Sequence, residues 1–357
     1  MPGYENGFTN ENGMNPIIFS KKVALEYTKL GNKVEDYLTN DQWEGEIKAQ
    51  GDTVRIVLPN VEGIQIGDGD ICPVPQPTPP EALDLKIDKQ KTFALSMTYK
   101  EKAQTNFKNW MDGMAAGVAQ KIGKIKNQEI ARDIFEYTPG AQVAGVYNPA
   151  NHPLAGDFGT DAAPVDVTPQ TAYAFMLRVK MALLESGAIA DDGTYKFTPL
   201  NEETQDMRGV FICGTKFAAI LLSAYQLAGR STEAGDMVVK DGVVTRVAGL
   251  DIHIDRTLDQ ITTTVGAGTV DANDATRKHF TNLPFLAGTK NAVTKASQVS
   301  LVKTVDDPYC FQEITKGMEL YGYKLLHPEA VVRGVAKKYE YGEFNTAIPV
   351  VVENPNA

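Results

Sequence analysis

The chain has 357 residues, 43% hydrophobic and 22% charged, with a formal net charge of −10. That is a globular composition with apolar material for one large or two ordinary domains. The acidic excess argues against a dedicated nucleic-acid binder, which must neutralise phosphates.

Residues 1–15 are rich in Asn and Gly and nearly free of large aliphatics, so alone they are expected to be disordered, either as a loose terminus or as an arm that orders on a partner. The opening MPGYENGFTNENGMNP has no basic-plus-apolar signal segment, and no apolar run reaches bilayer length. Ser20 is placed as the N-cap of a helix through Tyr37, with Val23, Leu25, Leu30 and Val34 apolar and Gly31 a weak point. Trp43 is expected to anchor this arm to a body.

Over 44–97 the period changes to two. Val54, Ile56 and Leu58 alternate, as do Leu83, Leu85 and Ile87, and then Phe93, Leu95 and Met97. The intervening NVEGIQIGDGDICPVPQPTPP carries Pro73, Pro75, Pro77, Pro79 and Pro80, which forbid a central strand and stiffen an extended tip. The sum is a long β-hairpin arm with little core of its own. In a lone subunit Val54, Ile56, Leu58, Leu83 and Leu85 are expected to be partly wet.

Residues 98–137 carry the strongest pattern. Ala103, Phe107, Trp110, Met111, Met114, Val118, Ile122, Ile125, Ile130 and Ile134 fall at gaps mostly of three and four, and Pro139 closes the run. Such a helix spans on the order of 55–60 Å. One compact domain cannot wrap it on all sides, and the lack of a strict seven-residue register favours a spine across a surface over a coiled coil. Gly113, Gly117 and Gly123 each cost about 1 kcal/mol in a helix interior. They are expected to mark a bend or a close backbone approach; two shorter helices broken near Gly123 are the alternative.

A polar, proline-punctuated segment follows to Pro169. Residues 171–186 read as a helix through Phe175, Leu177, Val179, Leu183 and Leu184, stopped by Gly187. GVFIC at 209–213 suits a buried strand, and 215–227 an apolar helix. Residues 237–239 and 243–247 flank Lys240, Asp241 and Gly242, and Asp-Gly is the strongest short hairpin signal. Leu250, Ile252 and Ile254 alternate as a further strand. Residues 259–283 read as a long loop, 285–302 as mostly extended, and 311–335 as two strands with a turn at His327-Pro328. No internal repeat appears. The class is α+β, with helices and antiparallel strands in separate runs.

Chemistry is sparse. Cys72, Cys213 and Cys310 are far apart and form no CxxC pair, so neither a zinc site nor a disulfide framework is indicated, and a reducing cytoplasm suits them. His152, His253, His279 and His327 sit in no zinc-ligand spacing, and neither a GxSxG elbow nor a phosphate-cradling glycine loop is present. Gly67, Asp68, Gly69 and Asp70 resemble a fragment of a calcium loop without its later ligands or closing glutamate; a solvated turn is the simpler reading. Asp251, His253 and Asp255 alternate on one strand and share a face, which could hold a metal ion but is ordinary for the polar side of a sheet. Lys121, Lys124 and Lys126 form a small basic cluster, either a solvated helix face or a weak phosphate contact.

Three stretches carry a resemblance: KEKAQTNFKNWMDGMAAGVAQKIGKIKNQEIARDI, KDGVVTRVAGLDIHIDRTLD and FQEITKGMELYGYKLLHPEAVV. In the order arm, hairpin extension, long helix and mixed body, the chain resembles the major capsid protein of tailed bacteriophages, the Hong Kong 97-type fold, over nearly its whole length. That resemblance implies an N-terminal arm at 1–43, an extended β-hairpin loop at 44–97 and a peripheral domain with a spine helix at 98–162. An axial domain at 163–295, with loops meeting at hexamer and pentamer axes, and a return to the peripheral domain with a C-terminal tail at 296–357 complete it. It further implies a structural subunit, not an enzyme, that assembles with its own copies into an icosahedral shell in the virion. The shell would be built in the host cytoplasm, touch packaged double-stranded DNA non-specifically, and involve no membrane. A portal and a separate scaffolding protein are implied partners, since the arm and extended loop already fill the length before the helix. Some family members weld subunits through a Lys–Asn isopeptide bond, but no Lys and Asn here match that motif. No catalytic, cofactor-binding or metal-binding residue is therefore assigned. An encapsulin-type nanocompartment and a soluble enzyme with a hairpin lid stay open. A neighbouring terminase or portal gene rather than a cargo enzyme decides against the first, and a monomeric mass would revive the second.

Overall fold

The computed structural model describes residues 32–41, 53–58, 81–100, 107–138, 154–189, 209–224, 239–240, 243–244, 246–271, 274–290 and 292–339. The Ser20 cap, Trp43, the GDGD run and the proline-rich stretch lie outside them. In chain order the elements begin with α1 (Lys33–Leu38), β1 (Thr39–Asn40), β2 (Thr53–Leu58), β3 (Glu81–Lys86), β4 (Lys89–Thr98) and α2 (Phe107–Glu136). There follow β5 (Gly156–Phe158), α3 (Ala172–Glu185), β6 (Val210–Cys213), α4 (Thr215–Ser223), β7 (Val239–Lys240), β8 (Val243–Val244), β9 (Arg246–Val247) and β10 (Leu250–Ile254). The last are β11 (Thr262–Thr263), β12 (Lys278–His279), β13 (Leu283–Gly288), β14 (Val293–Asp306), β15 (Gln312–Leu325) and β16 (Val331–Ala336).

These elements gather into two compact units. The first holds Met1–Asn127, Gly140–Asn151 and Val293–Leu326; the second holds Gln128–Pro139, His152–Ala292 and His327–Ala357, so the division falls inside α2.

The 3.6-residue period closes into one continuous helix over Phe107–Glu136, 30 residues and about 45 Å long. It is not broken near Gly123. A Cβ at Gly123 would lie 2.5 Å from the Asn32 side chain, so this glycine marks a close approach; one at Gly113 or Gly117 would meet nothing within 4 Å. Val118, Ile130 and Ile134 are buried as their spacing predicts, but Ile125 is 38% exposed.

In the first unit a four-stranded sheet runs β1-β14-β15-β4. β14 and β15 pair antiparallel from Val293–Leu325 to Asp306–Glu313, with a bulge between Gln298 and Ser300. β4 lies antiparallel on the other side of β15, Lys89 opposite Tyr321 and Thr98 opposite Gln312. The third alternating run of the expected hairpin arm is therefore a sheet strand. β2 and β3 form the hairpin itself, in register from Thr53–Lys86 to Leu58–Glu81.

In the second unit a six-stranded sheet runs β5-β16-β13-β6-β10-β9. β13 and β6 are buried at every position, which is why their sequences read as unbroken apolar runs. Rings from α3 (Phe175), α4 (Phe217) and the sheet (Phe211, Phe285) interlock at centroid distances of 5.3–6.1 Å. β7 and β8 pair antiparallel about the Asp-Gly signal. The stretch expected as a long loop carries a 3-10 turn, Leu258–Gln260, and the small β11–β12 ladder. The two strands on either side of His327-Pro328 formed as expected, yet they join different sheets. Among the described residues no helix is long and apolar enough to cross a membrane.

Candidate assembly surface

The hairpin of β2 and β3 is rooted in its own unit. Ile56, Leu85 and Ile87 form a buried cluster with Ala296 of β14 and Leu326, against which Leu320 packs. Ile56 and Leu85 are fully buried, which corrects the expectation that they would be wet in a lone subunit. Gly322 makes room for this root, since a Cβ there would lie 2.2 Å from the carbonyl oxygen of Lys86.

A polar knot ties α1 and α2 to the sheet of the first unit. Asn127, fully buried, accepts a hydrogen bond from the Glu35 backbone N–H at 3.0 Å, and Lys295 Nζ lies 3.2 Å from Glu35 Oε1. One residue before, Lys126 pairs with Glu319 and sits 4.8 Å from the Tyr321 ring centroid. Lys126 is buried, so it belongs to neither reading of the basic cluster; Lys121 and Lys124 alone are exposed. Its ammonium finds a carboxylate and a π face in place of water.

At the far end of β14 and β15, the five-residue connection 307–311 is tightly built. Asp307 N–H donates to Gln312 O at 3.0 Å, Gln312 N–H to Cys310 O at 2.8 Å, and Tyr309 N–H to Asp307 Oδ1 at 3.0 Å. Gln312 Nε2 donates to Asp307 Oδ2. Those bonds, the Gln312 amide foremost, hold the Asp307 carboxyl below its ordinary pKa. The end of β4 joins in: Tyr99 N–H donates to Phe311 O at 3.2 Å and its hydroxyl to Asp306 Oδ1 at 3.0 Å. This frame holds Tyr309 and Phe311 in the open, 93% and 86% exposed. Phe311, expected to begin a strand, stands just outside it.

In the second unit Arg333 of β16 closes the C-terminal end of α2. Its Nη1 donates to the carbonyls of Ile134, Phe135 and Tyr137 at 3.1, 2.7 and 2.7 Å, and its Nη2 to Asp157 Oδ2 at 2.8 Å. The guanidinium satisfies carbonyls that a helix end leaves open and opposes the negative end of its dipole. Buried Asp161 accepts from the backbone N–H groups of Ala267, Thr281 and Asn282, at 2.6, 2.9 and 2.9 Å, and so fixes the Thr- and Gly-rich stretch. Asp259 reaches the start of α4, accepting from Thr215 N–H and Oγ1 at 3.1 and 3.0 Å, a cap that Gly214 cannot supply.

The strand residues suggested for a metal have other work. Asp251 takes Arg246 Nε at 2.7 Å, and Asp255, buried, accepts from Thr257 N–H and Oγ1 at 2.8 and 2.7 Å. Among the described residues no three His, Cys, Asp or Glu side chains gather as a metal site requires. Cys213 is buried, and desolvation, then the charges of Asp259 and Asp255, push its thiol pKa far up, so it stays protonated; Cys310 is exposed.

No protein-family model and no curated protein matches the sequence. Solved structures do match. A chain of Mycobacterium phage Che8, 15% identical, superposes with a TM-score of 0.55 over 83% of this chain and 88% of that one. The capsid structure of cyanophage P-SCSP1u gives 0.54 at 12% identity over 85% and 86%. The mature capsid of bacteriophage PhiM1 gives 0.54 at 11% over 85% and 89%. The chain has the fold of phage capsid subunits. At these identities the likeness is one of fold, and it agrees with the resemblance read from the sequence, including its mixed α+β class. Arg333, Asp161 and the Tyr309–Phe311 tip were missed in the sequence. The only signal for the tip was two aromatics set in a polar, proline-marked stretch, DDPYCFQ.

Proposed function

We propose that this chain is the major capsid protein of a tailed bacteriophage, a non-enzymatic subunit that builds an icosahedral shell from hexamers and pentamers of itself. The observation that carries this is the capsid-type fold, matched over more than four-fifths of the chain. In this reading the Hong Kong 97-type parts are the arm at 1–43, the extended loop at 44–97 and the peripheral domain at 98–162 and 296–357, with α2 as its spine. The axial domain is 163–295. The partners are copies of the chain, a separate scaffolding protein, a portal and packaged double-stranded DNA met non-specifically; the site of action is the virion, assembled in the host cytoplasm. Extensions that reach neighbouring copies suit a subunit that must meet them in non-identical positions.

Negative-stain microscopy of the purified protein, beside a variant lacking residues 61–80, tests the proposal. The wild type should give closed particles. The deletion spares the β2–β3 root with Ile56 and Leu85, so it should keep the circular dichroism spectrum and yet give no closed particles. A wild type that stays monomeric even when co-expressed with its scaffolding protein overturns the shell reading; a folded deletion variant that closes normally overturns the role of the extended loop.

A further inference from the structure

Helix α3 carries a second apolar stripe, on the side away from its sheet. Phe175, Met176, Val179 and Leu183 are buried on the inner face. At the helix period Ala174, Leu177, Met181 and half-buried Leu184 fall together on the opposite side. Leu177 is 39% and Met181 51% exposed. Arg178 flanks the stripe on one edge and Lys180 on the other, and the helix has no acid before Glu185, its last residue. One exposed apolar side chain needs no explanation, but an aligned stripe with basic edges marks a contact.

The described chain ends close to the start of this helix. Lys337 N–H donates to Val165 O at 2.8 Å, Lys338 N–H to Asn282 Oδ1 at 3.1 Å, and the Tyr339 hydroxyl to Asp166. Asp166 comes shortly before α3, which opens at Ala172. Beyond Tyr339 the sequence continues EYGEFNTAIPVVV over 340–352. Fully extended, this stretch reaches on the order of 40 Å, about twice the length of α3. It carries Phe344, Ile348, Val350, Val351 and Val352, which need cover, and its two charges, Glu340 and Glu343, are both acidic. Gly342 and Pro349 disfavour a continuous helix, so an extended form suits it.

We propose that residues 340–352 lie along the outer face of α3 of the same chain, with their apolar side chains on Leu177 and Met181 and with Glu340 and Glu343 toward Arg178. The anchor at Tyr339 selects the occupant. A segment that leaves beside the helix meets it at the effective concentration of a short tether, on the order of millimolar, ahead of any other molecule. The acidic segment also complements the basic edges of the stripe. The inference does not depend on the shell reading.

Full-length subunits, kept dilute and unassembled, are read by hydrogen exchange and by cross-linking. In the wild type the amides of 340–352 should be protected. Leu177→Glu/Met181→Glu should lower that protection roughly tenfold or more, a loss of about 1.4 kcal/mol in docking, while the β6 amides keep theirs. Ile348→Glu/Val351→Glu should do the same without touching the helix, which keeps the test decisive if the first variant misfolds. Arg178→Glu should lower protection by a smaller factor, and adding Glu340→Lys/Glu343→Lys should recover it. For cross-linking, photoactivatable methionine replaces methionine, and light and heavy-nitrogen subunits are mixed in equal amounts. Met181 should join to a peptide within 340–352 of its own label only. Unprotected 340–352 amides in the wild type, or protection that neither apolar double variant moves, overturns the proposal. Light-to-heavy products make the occupant a neighbouring copy and overturn it too. A charge reversal without effect overturns the placing of Glu340 and Glu343 toward Arg178.

Discussion

The two units bury their sheets by different means. In the second, β13 and β6 are enclosed on both faces, and four phenylalanine rings from two helices and the sheet fill the interior. In the first, β14 and β15 run fourteen residues each, and what packs at their root is partly ionic: Lys126 with Glu319, and Glu35 with Lys295 and Asn127. A ring-filled core tolerates little loss of volume. A charged root tolerates loss of volume better than loss of one partner, because an ion left alone in a dry place has nothing to replace water. The first unit also ends in an exposed aromatic tip. One unit thus reads as a self-sufficient body, and the other as a framework that carries parts outward.

The sharpest way to break this contrast is to hollow the body. Phe285 is fully buried against Phe175, Phe211 and Phe217. Phe285→Ala is expected to cost about 3–5 kcal/mol from lost transfer energy plus an unfilled cavity. Urea unfolding checks it; a cost under about 1 kcal/mol would mean that the ring cluster is not the core of that unit.

The unequal legibility of the two units follows from the same physics. In the second unit the signals were local: GVFIC is apolar without interruption because both faces of β6 are covered, and the 171–186 period survives as α3 because only one side of that helix is buried. In the first unit what mattered was set by contacts distant in sequence. Lys126 looked like one of three solvated lysines; only the approach of β15, almost two hundred residues on, makes it a buried ion. Ile56 and Leu85 looked like an arm without a core, since Ala296 and Leu326 were too remote to be read with them. Arg333 could not be found from spacing, because its partners are the backbone carbonyls of another element.

A second, smaller effect probes the charged root. Glu319→Ala would leave the buried Lys126 ammonium without its carboxylate. Fully buried pairs lose roughly 3–5 kcal/mol on such truncation, and Glu319 keeps some contact with water, so about 2–3 kcal/mol is expected. Lys126→Met together with Glu319→Leu should recover most of that loss, because two apolar side chains of similar length need no partner. Denaturant unfolding of the single and double variants decides. If the double variant is as unstable as the single, the root is held by more than this one pair, and the contrast with the aromatic body weakens.

The smallest expected effect lies at the tip and concerns pH. Asp307 is half-buried, and its carboxylate accepts from Gln312 Nε2 and Tyr309 N–H; those bonds lower its pKa from the ordinary 3.8. A carboxyl with a depressed folded-state pKa stabilises fully above its unfolded value, and that contribution disappears as pH falls through the lowered one. The turn should therefore keep its form at neutral and mildly acid pH and loosen only below 3.8. The Tyr309 amide reports on this directly. Its exchange protection factor should be level down to that region and then drop, while the β13 amides of the enclosed sheet keep theirs. Asp307→Asn retains an acceptor oxygen but has no charge to lose, so in that variant the protection of Tyr309 should be weaker and free of the acid step. A step that persists in the asparagine variant would place the titrating group elsewhere.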